Sequence, residues 1–447
     1  MNLLAHGLVW SFLLYFLALN ATYLALNLLS WPALRRRLTL MPLEDLPPIH
    51  PDLVLPVTII ICARDCADTI VEQIRAASQL YYPELEIVVV NDGSRDATLE
   101  VLTQAFALES FPEVYWRRIP ALPVRTIYHS RAQPNLRVID KERGGTADAL
   151  NVGLNASRYP LVFVMSTRWT LRRDGLRILV EPFLDDPATI AAASTTRVTP
   201  IEELEGAAGE HELPATLLAR LQMIEHLREP LFGRLGWARL NGALAVSGTA
   251  ILFRKDAVVD AGGFRTQVIA EEMELVARLH RVQRERGERY RIHAVPEPIC
   301  RVAAATSLGA LREQRMRWQV ALAETLEHNR GLVGNRGFAA RAAYPFFFLF
   351  ECLGPAFEIL AYVMMTAMFL LGLIPGMLYV AFLAFAFSLG FMVSMSTLLL
   401  EEISFRLYPR WGQAARLAIA AIVENLGYRQ LVAFWRLDAL LRWWQSR

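Results

Sequence analysis

An apolar run without a charged side chain covers residues 7–31, GLVWSFLLYFLALNATYLALNLLSW. A helix of this length is about 37 Å long, which exceeds the ~30 Å hydrocarbon core of a bilayer. A cleaved signal peptide is the alternative, but the run is too long for one and no basic residue precedes it. The sequence therefore predicts an N-terminal transmembrane helix within residues 1–34.

Positive charge and chain breaks predict how the chain crosses the membrane. Arginines 35–37 follow the first apolar run directly, so the positive-inside rule places them in the cytoplasm. A second apolar block, residues 344–400, is interrupted by glycine and proline and predicts two further spans near 356–373 and 377–399. We therefore expect a multi-pass protein of a bacterial inner (plasma) membrane, with the middle of the chain in the cytoplasm.

The tail, residues 401–447, mixes Trp, Leu and Arg at helical spacing. This pattern is typical of an amphipathic helix that lies among cytoplasmic lipid headgroups. A helix that packs on the soluble part of the protein is the alternative. The tail thus predicts membrane lipid as a partner.

Net charge and cysteine spacing exclude two classes of function. The formal net charge is only +2, which is not expected of a nucleic-acid-binding protein. The four cysteines lack the paired spacing of a zinc site. We expect no nucleic-acid partner and no cysteine-held metal.

Strands alternate with helices between about residues 50 and 305. The pattern predicts strands at 57–61, 86–90 and 161–164 and helices at 68–80 and 96–106. Such alternation favours an α/β fold with a mostly parallel sheet. Ligands bind outside the carboxyl ends of the strands in these sheets, so we expect the loops after the three strands to line one site.

An ordered set of sequence motifs is more specific than the alternation of strands and helices. The strand EIVVV ends in NDGS (91–94), and the later segments are GGTADALNVGLNAS (144–157), VMSTRWTLRRDGL (164–176), VSGTAILFRKDAV (246–258), IAEEMELVARLHR (269–281) and QRMRW (314–318). In this order the chain resembles processive family 2 glycosyltransferases such as cellulose, hyaluronan and poly-N-acetylglucosamine synthases. The resemblance implies a GT-A-like domain at 50–305, interfacial helices at 306–343, a UDP-sugar and a glycan acceptor.

The resemblance implies nucleotide-sugar contacts at the first two strand ends. These residues are Ala63, Asp92, Gly93 and Ser94. Asp92 can accept a hydrogen bond from a uracil N–H, or it can serve only as a turn residue. Gly93 and Ser94 permit a tight turn and offer backbone donors.

The family's Asp-x-Asp metal motif is replaced by Ser166 and Arg168. Serine is a poor ligand for Mg²⁺ or Mn²⁺, and arginine has no acceptor atom. We therefore predict no metal site. Arg168 either clamps the diphosphate in place of the cation or marks a lost nucleotide site. Thr146 and Cys66, which stand where the family has Lys and Glu, favour the second interpretation.

A glutamate pair stands where the family has Glu-Asp. The resemblance assigns the general base to Glu272, which keeps the carboxylate but is one methylene longer than aspartate. An acidic residue in the first turn of a helix, stabilised by the dipole, is the alternative interpretation.

Acceptor contacts are implied at Ser247, Gly248, Gln314 and Trp318. A helix from about 308 to 328 would place Gln314 and Trp318 on one face with Arg317, which could contact the diphosphate. A tryptophan at the membrane interface beside an exposed arginine is the alternative.

The sequence predicts an inverting glycosyltransferase that uses a UDP-sugar to build an exported polysaccharide. The alternative is a catalytically degenerate scaffold that pairs with an active synthase or an export subunit. A transporter is disfavoured because the predicted spans lack polar residues that would form a pathway.

Overall fold

A computed structural model describes residues 3–39, 54–112, 115–165, 170–199, 213–214, 216–228, 233–245, 250–334, 337–404 and 411–447. Its strands are β1 Val57–Ala63, β2 Leu85–Asp92, β3 Leu108–Ser110, β4 Val124–Ser130, β5 Leu136–Lys141, β6 Leu161–Met165, β7 Thr170–Leu171, β8 Thr189–Thr199, β9 Ile251–Arg254 and β10 Arg291–Ala303.

Helices follow most of the strands and continue to the C-terminus. They are α1 Leu3–Thr39, α2 Ile70–Ser78, α3 Thr98–Phe106, α4 Thr146–Ala156, α5 Gly175–Asp185, α6 Leu217–His226, α7 Arg234–Arg239, α8 Lys255–Asp260, α9 Glu271–Glu285, α10 Leu308–His328, α11 Ala339–Cys352, α12 Gly354–Leu370, α13 Gly376–Ser404, α14 Trp411–Val423 and α15 Arg429–Gln445.

One ten-stranded sheet organises the middle of the chain, in the order β3-β4-β5-β2-β1-β6-β9-β8-β10-β7. Its centre is parallel, because β1 pairs with β2 and β6 in the same direction and β2 pairs likewise with β5. Strand β9 runs antiparallel between β6 and β8. The α/β prediction is confirmed, and the antiparallel strands on both flanks of the parallel centre are an addition to it.

Strand β1 shows why the sheet is covered on both faces. Ile59, Ile60 and Ile61 are all 0% exposed, as expected for a central parallel strand. Helix α4 approaches one face so closely that a Cβ on Gly153 would lie 2.5 Å from the side chain of Ile60. A side chain larger than hydrogen at residue 153 would push the helix from the strand, so this glycine sets their spacing.

Three helices in the described part of the chain are long and apolar enough to cross a membrane: His6–Arg35, Gly376–Ser404 and Trp411–Gln445. Helices α11 and α12 form a pair bent by 48° that would count as a fourth candidate if it is one span. The first predicted span coincides with α1. The number of crossings and the flat position of the tail stay predictions, because length and composition alone do not fix them.

The expectation that these helices lack polar pathway residues is wrong. Glu351, Glu358 and Glu424 are buried among them. Each lies in an ion pair, with N–O distances of 3.3, 3.3 and 2.6 Å to their arginine partners Arg436, Arg429 and Arg228. Buried charges are normally retained only when paired, and here each pair joins helices that are distant in sequence.

Candidate active site

The ends of the central strands meet at one edge of the sheet. Ala63, the last residue of β1, is in register with Asn91 of β2, and Ile61 is in register with Met165 of β6. The described ends of these strands therefore lie at one edge of the sheet, and that their loops line one site stays a prediction. We call the region at the ends of β1 and β2 and the start of α4 the strand-end cleft.

Two of the predicted groups lie outside the described residues. They are the metal-motif positions Ser166 and Arg168 and the acceptor-loop residues Ser247 and Gly248. Ala245, which precedes the acceptor loop, lines the large cavity described below. The two interpretations of Arg168 both stay open.

Asp92 is almost fully buried, with 2% of its surface exposed. One carboxylate oxygen accepts bonds from Lys141 Nζ (2.9 Å) and Gly144 N (2.7 Å), and the other accepts from Gly145 N (2.8 Å). Burial alone would raise the pKa of Asp92, but these donors outweigh it and lower that pKa. A carboxylate has about four acceptor positions, so one remains for a ligand N–H.

Lys141 is a central residue that the sequence analysis missed. Its ammonium group is 0% exposed and lies between two carboxylates, 2.9 Å from Asp92 and 2.7 Å from Asp148. Asp148 also accepts a bond from Leu122 N (3.0 Å). The sequence did contain a signal for this residue. A lysine that follows Asp140 at the end of a buried strand needs a negatively charged partner. Because its charge is neutralised inside the protein, Lys141 does not replace the phosphate-binding lysine missing at Thr146.

The turn after β2 is held by reciprocal bonds. Ser94 Oγ donates to Asn91 (2.5 Å) and accepts from Asp65 N (3.1 Å), while Arg95 N donates to the Asp65 carboxylate (2.8 Å). Gly93 adopts a φ of +60°, and a Cβ there would lie 2.9 Å from the backbone N of Arg143. The predicted tight turn is therefore present. Ala63 is 0% exposed as a whole residue, so neither its side chain nor its backbone presents surface to a ligand.

Glu271 and Glu272 begin α9 beside the cleft. Burial raises the pKa of the Cys62 thiol, and the negative charges of Asp92, Glu271 and Glu272 raise it further, which places all three carboxylates near this end of β1. Burial, followed by the charge of Glu272, raises the pKa of Glu271 to about 7, and burial also raises the pKa of Glu272. A carboxylate whose pKa is raised toward neutrality is suited to act as a general base.

A cavity of about 450 Å³ adjoins the glutamate pair. Ile269 and Ala270, the residues just before Glu271, line it, and so do Gln314, Arg317 and Trp318 of α10. The structure thus brings the predicted acceptor residues of α10 into one space next to the predicted base. We call this space the Trp318 cavity.

Helix α10 is capped at its start and fixed to its neighbours by two of its side chains. The helix spans residues 308–328 as predicted, and Ser307 caps it by accepting from Ala310 N (3.2 Å). Arg315 bonds to Glu225 (2.7 Å) and Gln319 donates to the carbonyl of Cys352 (2.8 Å), so these residues fix the helix to its neighbours.

The described residues do not fit a divalent cation. Within them, no group of three His, Cys, Asp or Glu side chains is arranged to hold a metal ion. The carboxylates of Asp92 and Asp148 are already bonded to Lys141, so a cation there would compete with a buried ammonium group. We derive no step through a metal.

Comparison with known proteins agrees with this geometry. Residues 58–120 match Glycosyl transferase family 2, and residues 227–395 match Glycosyl transferase family group 2. The poly-beta-1,6-N-acetyl-D-glucosamine synthase of Staphylococcus aureus (strain MSSA476) is 27% identical over 279 residues, 62% of this chain and 57% of the relative. The same enzyme of Staphylococcus epidermidis is 25% identical over 255 residues, 56% and 51% of the two chains. The chain thus spans little more than half the length of these relatives.

A solved structure supports the fold. The mannosyltransferase PcManGT from Pyrobaculum calidifontis, determined with GDP-Man and Mn²⁺, superposes with a TM-score of 0.54 at 19% identity, over 93% of this chain and 99% of that chain. At this identity the likeness shows the GT-A-like fold alone. The ordered motifs and the matches of two glycosyl transferase family models to separate parts of the chain support a family 2 glycosyltransferase.

Proposed function

We propose that the protein is a membrane-bound, inverting glycosyltransferase that uses a UDP-sugar to extend or initiate an exported polysaccharide. The observation that carries the proposal is that Glu271 and Glu272 directly follow Ile269 and Ala270, which line the Trp318 cavity, and are close enough to Cys62 of β1 for their charges to raise its pKa. A base at this position could serve a donor on the β1 side and an acceptor on the cavity side. The relatives named as polysaccharide synthases support the substrate class.

The reaction needs one base and two bound substrates. The acceptor hydroxyl oxygen forms a bond to the anomeric carbon of the donor, the bond from that carbon to the diphosphate breaks, and UDP leaves with the electron pair. Glu272 takes the proton of the hydroxyl as the bond forms. Attack opposite the leaving group inverts the configuration at the anomeric carbon.

The two regions would bind different parts of the substrates. In the strand-end cleft, the turn at residues 92–94 would contact the uridine, with the remaining acceptor position of Asp92 toward a uracil N–H. In the cavity, Trp318 offers an apolar plane to a sugar ring, and Arg317 offers a cation to the diphosphate.

A catalytically degenerate scaffold that pairs with an active synthase or an export subunit is the second candidate. It is favoured by one observation: the charged groups of the strand-end cleft are bonded to each other, and no metal-ligand set exists among the described residues. Such a protein would bind neither UDP nor a UDP-sugar.

Radiolabelled UDP-N-acetylglucosamine turnover by the purified protein in detergent, with and without EDTA, tests the proposal. We expect incorporation of label into polymer or oligosaccharide. Turnover that persists in EDTA would agree with the missing ligand set, and turnover that collapses would place a metal at residues outside the described part. Absence of turnover with every UDP-sugar tried, together with no UDP binding by calorimetry, would favour the scaffold.

A further inference from the structure

Arg436, in the C-terminal helix α15, reaches the wall of the Trp318 cavity. Its guanidinium carbon lies 5.1 Å from the centre of the Trp318 ring. The Nε atom donates to the side-chain oxygen of Gln319 (2.7 Å), and a terminal nitrogen donates to the carbonyl oxygen of Glu351 (2.7 Å). That terminal nitrogen also lies 3.3 Å from the Glu351 carboxylate. One side chain thus contacts an aromatic face and two neighbouring segments.

The partners of Arg436 are themselves fixed. Gln319 is 0% exposed and donates to the carbonyl of Cys352 (2.8 Å), while Glu351 is 3% exposed and accepts from the hydroxyl of Tyr23. An arginine held by such partners has one orientation, because its planar fork must satisfy both acceptors at once. The indole ring under it is therefore held as well.

Further ion pairs fasten α15 along α10. Asp438 accepts from Arg312 (2.9 Å) near the start of α10, and Arg447 bonds to Glu327 near its end. The tail is thus attached at both ends of the helix that carries the sugar-facing residues. It forms part of the cavity wall, in addition to any contact it makes with lipid.

We propose that Arg436 is a positioning residue of the acceptor site, which covers one face of Trp318 and fixes the indole so that its other face can receive a sugar ring. The inference rests on the proposed function, because it assumes a glycan in the cavity. Lysine cannot replace this arginine, since an ammonium group lacks the planar fork that stacks and donates in two directions.

A double-mutant cycle in binding tests the proposal without requiring turnover. A β-1,6-linked N-acetylglucosamine tetrasaccharide is titrated calorimetrically into the full-length protein in detergent, without donor. We expect about a fivefold rise in Kd for Arg436→Lys and about a tenfold rise for Trp318→Ala. Because Arg436 acts through Trp318, the double variant should bind no more weakly than Trp318→Ala alone.

Several outcomes would overturn the inference. Arg436→Lys with an unchanged Kd, or a double variant weakened about fiftyfold as independent effects would give, shows that Arg436 does not act through the indole. No tetrasaccharide binding by the wild type would overturn both this inference and the acceptor half of the proposed function. If the wild type binds the tetrasaccharide but the cycle shows no coupling between Arg436 and Trp318, this inference alone is overturned.

Two controls separate positioning from general damage. Arg442→Lys changes an arginine of the same helix whose ion-pair partner is Asp438 (2.8 Å), and it should leave the tetrasaccharide Kd unchanged. UDP affinity of Arg436→Lys should equal that of the wild type, since the strand-end cleft does not include α15. Loss of both affinities in Arg436→Lys would indicate a structural role and contradict the proposal.

Discussion

In the strand-end cleft the buried charged side chains are paired with each other, whereas the Trp318 cavity has exposed polar side chains beside the ion pairs in its wall. Lys141 is enclosed by Asp92 and Asp148, while Arg317 and Gln314 are exposed on the cavity side of α10. The first region therefore keeps its shape without a ligand. The second region has two exposed polar side chains that can contact a ligand.

This difference bears on how the two regions tolerate change. A change in the enclosed cluster leaves a buried charge without its partner and threatens the fold, while a change at exposed Gln314 or Arg317 removes a contact that only a ligand needs. The residues that depart from the family pattern, such as Thr146 and Cys66, belong to the strand-end side. The α10 motif on the cavity side is intact.

The largest expected effect lies where the two regions meet. Glu272→Gln removes the candidate base while keeping the shape of the side chain, so kcat should fall by about 10²- to 10⁴-fold. Glu271→Gln is the matched control and should lose less than tenfold. Steady-state rates with saturating donor and acceptor check this, and the reverse ranking would move the base to Glu271.

Lys141→Met probes the enclosed cluster. Two buried carboxylates would lose their cation, which should lower the free energy of unfolding by about 3–5 kcal/mol. Chemical denaturation in detergent measures this. Arg131→Met, which breaks an exposed pair with Glu109, should leave the denaturation midpoint unchanged. A stable Lys141→Met protein would show that the cleft does not depend on its internal charges.

Trp318→Ala tests the open region. Removal of the apolar plane should cost about 1–2 kcal/mol of acceptor binding, or about a tenfold rise in acceptor KM, with donor KM unchanged. Trp318→Phe should recover part of the loss. A rise in both KM values would contradict the assignment of Trp318 to the acceptor.

The smallest expected effect is the pH dependence of the glutamate pair. A base must be ionised to accept a proton, and the pKa of Glu271 is raised to about 7. Burial also raises the pKa of Glu272, the candidate base, so kcat/KM should rise with increasing pH until Glu272 is ionised and then level off. Rates between pH 5.5 and 8.5 check this. A profile that is flat over this range would show that ionisation of these glutamates does not control the chemical step.

Sequence patterns predicted the elements whose signal is local. The apolar strands β1, β2 and β6 and the helix at 308–328 were found because a buried parallel strand and a capped helix each show their own pattern. The contacts of Lys141 with Asp148 and of Arg436 with Trp318 were missed. Both join residues far apart in sequence or on separate elements, and no local pattern encodes such pairing.

The expectation about charged residues in the apolar helices failed for a related reason. Glu351 and Glu358 look costly in an apolar segment. Their arginine partners, Arg436 and Arg429, lie in α15, far from them in sequence. Only the tertiary structure shows that these charges are paired.

The central claim is that a nucleotide occupies the strand-end cleft and that an acceptor enters from the Trp318 cavity. An experimental structure of the protein with UDP tests it most directly. We predict uracil and ribose density against the turn at residues 92–94, with the diphosphate directed toward Glu272 and Arg317. UDP bound elsewhere, or a cleft that excludes UDP at saturating concentration, would contradict the account.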